Sequence, residues 1–176
     1  YRAMIHDTLE GDGYLAIGLC NHDEELTEVV GLGRIIQHEE LADGRFHILV
    51  QGFHRIRIVE ELPMEQYLYR RVKGELIEYR SEEQSQIDEQ LRAFYLCLDR
   101  VLQSIPDSAE ALSSLTERIQ DPSVLADVVC AAVVDTHTER QSVLEEPLVS
   151  RRLQSATDAL ADLLLNHFPK KGQLLH

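Results

Sequence analysis

The chain has 176 residues, of which 17 are basic and 31 acidic, giving a net charge of −14. That length holds one large domain or two small ones and buries a core without disulfide staples. The acidic balance argues against nucleic acid, which needs clustered Lys and Arg, and against an anionic membrane surface.

Residues 2–9 read as a short helix through Ile5 and Leu9, stopped by Gly11 and Gly13. Residues 14–20 read as a strand, residues 21–28 as an acidic loop, and residues 29–38 as a second strand. Gly31 and Gly33 within it suggest a bulge or close backbone approach. Asp43-Gly44 supplies the positive φ of a hairpin turn. Residues 46–51 return antiparallel and Gly52 breaks the strand. Residues 53–60 then continue with Ile56 and Ile58 against Arg55 and Arg57, so both arginines are expected to point away from the core. Pro63 ends this run. Residues 67–79 alternate again, with Leu68, Val72 and Leu76 on one face. Short strands at close spacing suggest a small barrel or sandwich.

Near residue 80 the pattern changes to 3.6-residue periods, and eight of the nine glycines lie before it. The spacing predicts a capping box at Ser81-Glu82-Glu83-Gln84. A helix stripe follows through Ile87, Leu91, Phe94, Tyr95, Leu98, Val101 and Leu102, stopped by Pro106. Asp107 with Glu110 predicts a second capping box. Asp121-Pro122 places an N-cap before a proline at the first helical position. The valine-rich helix that follows, residues 124–134, is apolar on too many sides for a surface element and reads as the central helix of a bundle. Residues 140–145 are short and polar, ended by Pro147. Residues 148–167 form a last long helix ended by Pro169, with Leu153, Ala156, Leu160, Leu163 and Leu164 inward. The expected division is residues 1–80 and 81–176. Both parts are acidic, at −6 (9 basic, 15 acidic) and −8 (8 basic, 16 acidic). The longest apolar run, residues 128–134, is about a third of the length that spans a bilayer.

Three stretches together resemble one family, the N-terminal substrate-binding domain of the ATP-dependent protease Lon. They are Tyr1-Arg2-Ala3-Met4-Ile5; Val30-Gly31 through Gln37-His38-Glu39-Glu40-Leu41-Ala42-Asp43-Gly44-Arg45-Phe46 into Leu49-Val50-Gln51-Gly52-Phe53-His54-Arg55-Ile56-Arg57-Ile58; and Asp121-Pro122-Ser123-Val124-Leu125-Ala126-Asp127 followed by Glu139-Arg140-Gln141-Ser142-Val143-Leu144-Glu145. The resemblance implies an α+β fold: a PUA-like small β-barrel or sheet domain followed by a C-terminal helical bundle. It also implies further strands ahead of Tyr1, consistent with a chain that opens on Tyr and shows no signal peptide. No G-x-x-x-x-G-K-[ST] phosphate loop occurs in these 176 residues, and Lys73, Lys170 and Lys171 sit in no Ser–Lys arrangement. A non-catalytic module follows, either part of a full protease or, as the tail after Pro169 favours, a stand-alone protein.

Local chemistry offers little to compete with binding. His47 and His54, expected on adjacent strands around Gly52, could approach each other, but no ligand spacing supports a metal. Cys20 beside His22 is too close in sequence for a nucleophile pair that nothing orients. Cys20, Cys97 and Cys130 form no CxxC and read as buried free thiols in a reducing, cytoplasmic compartment. Arg34, Arg55, Arg57, Arg70, Arg71 and Lys73 gather basic charge in the first half, either to grip client carboxylates or as a solvated face balanced by Glu60, Glu61, Glu75 and Glu78.

The leading reading is a module for exposed or unfolded polypeptide segments, with the groove between barrel and helices as its contact. Its candidate surface is Arg34, Gln51, Phe53, Arg55, Arg57 and Arg70. It calls for protein clients, no cofactor, no catalytic residue, no metal, no nucleic acid and no membrane, and it leaves a homo-oligomer open. The alternatives are a hydrolytic or small-molecule-binding enzyme with a pocket between the halves, and a structural oligomerisation or adaptor domain.

Overall fold

The computed structural model describes residues 1–167 apart from 22 and 79, and only the backbone at 66, 107 and 108. His22, Pro169, Lys170, Lys171 and the end of the run predicted at 67–79 therefore lie outside the described residues. One compact unit is Tyr1–Glu78, and the second comprises the remainder.

The first unit is helix α1 (Arg2–Glu10) and four strands: β1 (Tyr14–Ile17), β2 (Val29–Glu40), β3 (Phe46–Leu62) and β4 (Arg71–Leu76). They form one antiparallel sheet in the order β1-β2-β3-β4. β1 and β4 each pair on one side only among the described residues, so the sheet is open and the expected barrel is not closed. The β2–β3 hairpin closes at Asp43-Gly44. Gly44 takes φ +77°, and the Leu41 and Arg45 backbones join through a 2.8 Å hydrogen bond. The Asp43 carboxylate accepts from the Arg45 backbone N–H and side chain, which together hold its pKa below the usual range. α1 buries Ile5, and the His6 ring meets the edge of Phe46 at 5.1 Å.

β1 is shorter than expected. It stops at Gly18, where a Cβ would stand 2.6 Å from Val30 Cγ1. Gly52 does not break β3, which runs 17 residues without interruption. His47 and His54 therefore lie on one strand, not on neighbours. β4 begins only at Arg71, after a 3-10 turn at Met64–Gln66, and Leu68 is outside the sheet and 88% exposed.

The helical unit contains α2 (Gln84–Ser104), α3 (Pro106–Thr116), α4 (Pro122–Val133), α5 (His137–Glu145) and α6 (Val149–His167). α4 touches α3, α5 and α6, as a central helix should, while α6 also packs along α2. Phe94, Val101, Ala126, Val129, Leu153, Ala156 and Leu160 have no exposed surface, and they belong to one continuous core. Asp121 accepts from the Ser123 and Val124 N–H groups and caps α4 as predicted.

The capping box read at residues 81–84 does not form, and the Asp107 side chain of the other lies outside the described residues. α2 starts at Gln84 behind Glu83, which makes no side-chain cap, and Glu82 instead reaches the start of α6. α3 starts two residues early, with Pro106 at N1 behind Ile105, because a proline needs no donor partner there. Thr136 caps α5 together with Glu139. The Thr136 hydroxyl accepts from the Glu139 N–H at 3.2 Å and donates to its carboxylate at 2.7 Å.

Arg152 of α6 is fully buried. Its guanidinium donates to Asp127 and, at 2.8 Å, to the Ser123 hydroxyl, joining α6 to α4. Arg140 donates to the Val134 carbonyl at 2.7 Å, satisfying the end of α4.

Candidate functional site

Tyr14, Arg34 and Gln51 stand in register across β1, β2 and β3. Paired residues of an antiparallel sheet share a face, so these three form a row. The Arg34 guanidinium lies 5.6 Å from the centre of the Tyr14 ring, within cation–π range. It has no carboxylate partner among the described residues. Phe53 completes the cluster, meeting Tyr14 edge to face at 5.8 Å and lying 6.3 Å from the His54 ring.

Phe53 reaches this position through a bulge. Gly33 pairs with Gly52 and Leu32 with His54, leaving Phe53 as the extra residue. A glycine is needed opposite: a Cβ on Gly33 would overlap Val50 Cγ1 and stand 3.2 Å from the Gln51 carbonyl. Two further register shifts leave Ile36 and Val59 unpaired in the same way. All three bulge residues are large, apolar and exposed, at 54% for Ile36, 45% for Phe53 and 57% for Val59.

Of the six residues expected to form the surface, Arg34, Gln51 and Phe53 come together. Arg55 does not join them. It is 9% exposed beside buried Ile56, so the expectation that it points away from the core is corrected. Alternation puts Arg55 and Ile56 on opposite faces, but both faces are covered here, as buried Val29 and Val30 on the neighbouring strand also show. Arg57 is exposed and pairs with Glu28. Arg70 sits elsewhere, donating to Glu61 at 2.6 Å, to the Glu24 carbonyl at 2.7 Å and to Cys20 Sγ at 3.5 Å. The Glu61 hydrogen bond raises the Arg70 pKa further. Lys73 pairs with Glu60 at 2.5 Å, and Arg71 lies 4.1 Å over the Tyr67 ring. Arg57, Arg70 and Lys73 thus form a solvated face with its own counter-charges, Arg55 is buried, Arg71 stacks on Tyr67, and Arg34 joins the aromatic cluster. Tyr14 joins this cluster although it is not among the six expected residues. Its signal was an aromatic directly after Gly13, at the start of an edge strand.

No group of three or more metal-ligating side chains occurs among the described residues. The cysteines divide rather than sharing a buried fate: Cys20 is exposed, Cys97 intermediate and Cys130 buried. Desolvation raises the Cys97 thiol and pushes Cys130 up to about 11, so Cys130 is an inert packing thiol. No described helix is long and apolar enough to cross a membrane.

A profile of the ATP-dependent protease La (LON) substrate-binding domain matches residues 1–162. The chain belongs to that family. The Lon protease of Dictyoglomus thermophilum is 28% identical over 162 residues, 88% of this chain but 20% of that protein. Lon protease 2 of Herpetosiphon aurantiacus is 29% identical over 150 residues, 83% of this chain and 18% of that protein. The chain therefore spans about a fifth of the length of these relatives. Among solved structures, the N-terminal domain of Mycobacterium avium complex Lon protease superposes with a TM-score of 0.73 at 22% identity. That match covers 92% of this chain and 84% of the other. The Lon N-terminal domain protein from Xanthomonas campestris gives 0.52 at 16% identity, covering 94% and 82%. These likenesses fix the fold as α+β.

The stretches that carry the family resemblance have separate physical jobs. Asp121, Ser123, Asp127 and Arg140 are consumed by caps and by the Arg152 clamp inside the helical unit. Residues 30–53 build the β2–β3 pair and its Phe53 bulge.

Proposed function

We propose that this chain is a non-catalytic module that binds exposed or unfolded polypeptide segments, with the Tyr14–Arg34–Gln51–Phe53 face as its contact. The observation that carries this reading is an exposed aromatic pair beside a guanidinium that lacks a carboxylate partner among the described residues. Aromatic rings offer large contact area at small entropic cost, and Arg adds directional donors to backbone carbonyls or carboxylates of a client. Such a face suits clients that present apolar side chains on an extended backbone. The net charge of −14 favours proteins over nucleic acids as partners. Arg57 and Arg70, already engaged by glutamates, contribute little beyond local charge balance. The free cysteines suit a reducing, cytoplasmic setting.

The test is capture of a permanently unfolded, fluorescently labelled model protein by the 176-residue chain, measured by anisotropy at low and moderate salt. Binding to the unfolded protein but not to its folded form is expected, weakened by Phe53→Ser and by Arg34→Ala and unchanged by Arg57→Ala. Equal affinity for folded and unfolded forms, or loss of binding only in Arg57→Ala, overturns the reading.

A further inference from the structure

Glu82, which the sequence places in a local capping box, serves a different helix. It stands two residues before α2, and its carboxylate accepts from the opening of α6, 67 and 68 residues later. The Val149 N–H donates at 2.5 Å, the Ser150 N–H at 3.2 Å to one oxygen and 3.3 Å to the other, and the Ser150 hydroxyl donates as well. The first N–H groups of a helix have no partner within it, and an N-terminus favours negative charge. α6 has a second carboxylate one residue earlier, since Glu146 accepts from the Leu148 N–H at 2.9 Å. Leu148 itself, whose carbonyl accepts the Arg152 N–H, offers no side-chain acceptor. The cap that α6 lacks locally thus comes from the start of the unit.

The position of Glu82 gives this contact a second consequence. The first compact unit ends at Glu78, and the last backbone hydrogen bond of the sheet side is Ile77 N–H to the Arg55 carbonyl. Glu82 therefore fastens the chain four residues after the unit boundary, before α2 has begun.

We infer that Glu82 is a strap that ties the junction between the two units to the N-terminus of α6 and sets how much of the junction is free. Without it the chain is next held only by the first turn of α2, where the Gln86 and Ile87 N–H groups reach the Glu83 carbonyl. A protease needs several residues drawn out into its cleft around the cut bond. Arg80 is exposed and stands two residues before the strap, so trypsin cleavage after Arg80 reads the strap directly.

The test is limited trypsin digestion of the 176-residue chain, well below its melting temperature, with the Arg80 cut quantified against cuts at Arg92 and Arg100 within α2. Glu82→Ala and Glu82→Gln are expected to speed the Arg80 cut by about an order of magnitude, the scale of losing a hydrogen bond to a charged group, and to leave the α2 cuts unchanged. A double variant, Glu82→Ala with Leu148→Asp, separates strap from cap, because the introduced carboxylate caps α6 locally. Hydrogen-exchange protection of the helical unit is expected to rise back toward the parent, while the Arg80 cut stays fast. An Arg80 cut as slow in Glu82→Ala as in the parent overturns the inference. So does a double variant that recovers slow cleavage together with stability, because Glu82 would then be a cap and nothing more. A parent chain already cut at Arg80 as fast as Glu82→Ala has no strap.

Discussion

Phe94 and Phe53 belong to the two units and show how differently these use the same side chain. Phe94 has no exposed surface and sits in a helical core with Leu98, Leu125, Val129 and Leu160. Phe53 is pushed out of a strand by a bulge and stays nearly half exposed. The contrast extends around them. Buried hydrophobics in the β unit are few (Ile5, Val29, Val30, Ile35 and Ile56), and Tyr14, Ile17, Leu49, Val59 and Leu76 remain exposed. Single exposed hydrophobics are ordinary, but a set gathered on one sheet is the usual mark of an interaction surface. Both units leave large apolar residues exposed (Tyr95, Leu96, Leu115, Val124 and Leu165 in the helical unit), but the helical unit sets them around one continuous buried core.

The largest expected effect tests that contrast directly. Phe94→Ala should lower the stability of the helical unit by about 3–5 kcal/mol, through lost transfer energy plus a cavity. Phe53→Ala should change stability by about 0.5 kcal/mol or less, the usual range for a surface site. With two units a single unfolding midpoint is ill-defined, so hydrogen exchange resolved by unit is the measurement. Comparable losses in both variants would show that Phe53 is part of a core.

The next effect concerns the buried charge. Asp127→Ala leaves the Arg152 guanidinium buried with only its Ser123 contacts and its remaining interactions. A loss of about 3 kcal/mol confined to the helical unit is expected. Arg152→Met removes the charge and keeps apolar volume, so it should be close to neutral. If Arg152→Met is instead the more damaging of the two, the clamp is a net stabiliser of the bundle and not merely a charge that must be answered. In the β unit the comparable test is Gly33→Ala. Its methyl has no room against Val50, and about 1–3 kcal/mol of overpacking should appear in β2 and β3 exchange alone.

The helical unit was the more legible of the two in sequence, for a physical reason. A helix repeats one contact geometry, so Phe94, Leu98 and Val101, or Leu153, Ala156 and Leu160, declare a buried face by spacing alone. What spacing cannot show is which helix a cap serves: Ser81 to Gln84 fitted a local capping box, yet Glu82 caps α6. The same limit hid Arg152, whose partners lie 25 and 29 residues away. Strands were harder. Alternation puts Arg55 opposite Ile56 but does not tell whether that face is covered, so a rule that sends Arg55 outward fails where both faces are buried. Gly33 did flag the close approach, and the turn at Asp43-Gly44 was readable because positive φ restricts the residue choice. Tyr14 escaped notice because its partners, Arg34 and Phe53, come from two other strands.

The smallest effect is one of pH, and it also divides the units. Burial raises Cys130 from its ordinary 9.0 to about 11, with the Asp127 charge adding to the rise and Arg152 opposing it. A group whose folded pKa is raised binds its proton longer folded than unfolded. Its stabilising contribution is whole below pH 9 and is lost as pH climbs toward 11. The helical unit should lose about 1 kcal/mol between pH 8 and 10 from this thiol, and Cys130→Ala should flatten that part of the slope. Cys97, also raised by burial, adds in the same direction, so Cys97→Ala is the companion variant. Tyr69, raised by its hydrogen bond to Asp7, gives the β unit a slope only above pH 10. Thermal melts followed at the helix dichroism band across pH 8–10 would read the thiol term before the tyrosine matters. Parallel slopes in the parent and Cys130→Ala would mean that the buried thiol is as free to ionise as in the unfolded chain. The tight packing around α4 that sets the helical unit apart from the β unit would then have to give way to water at moderate alkali.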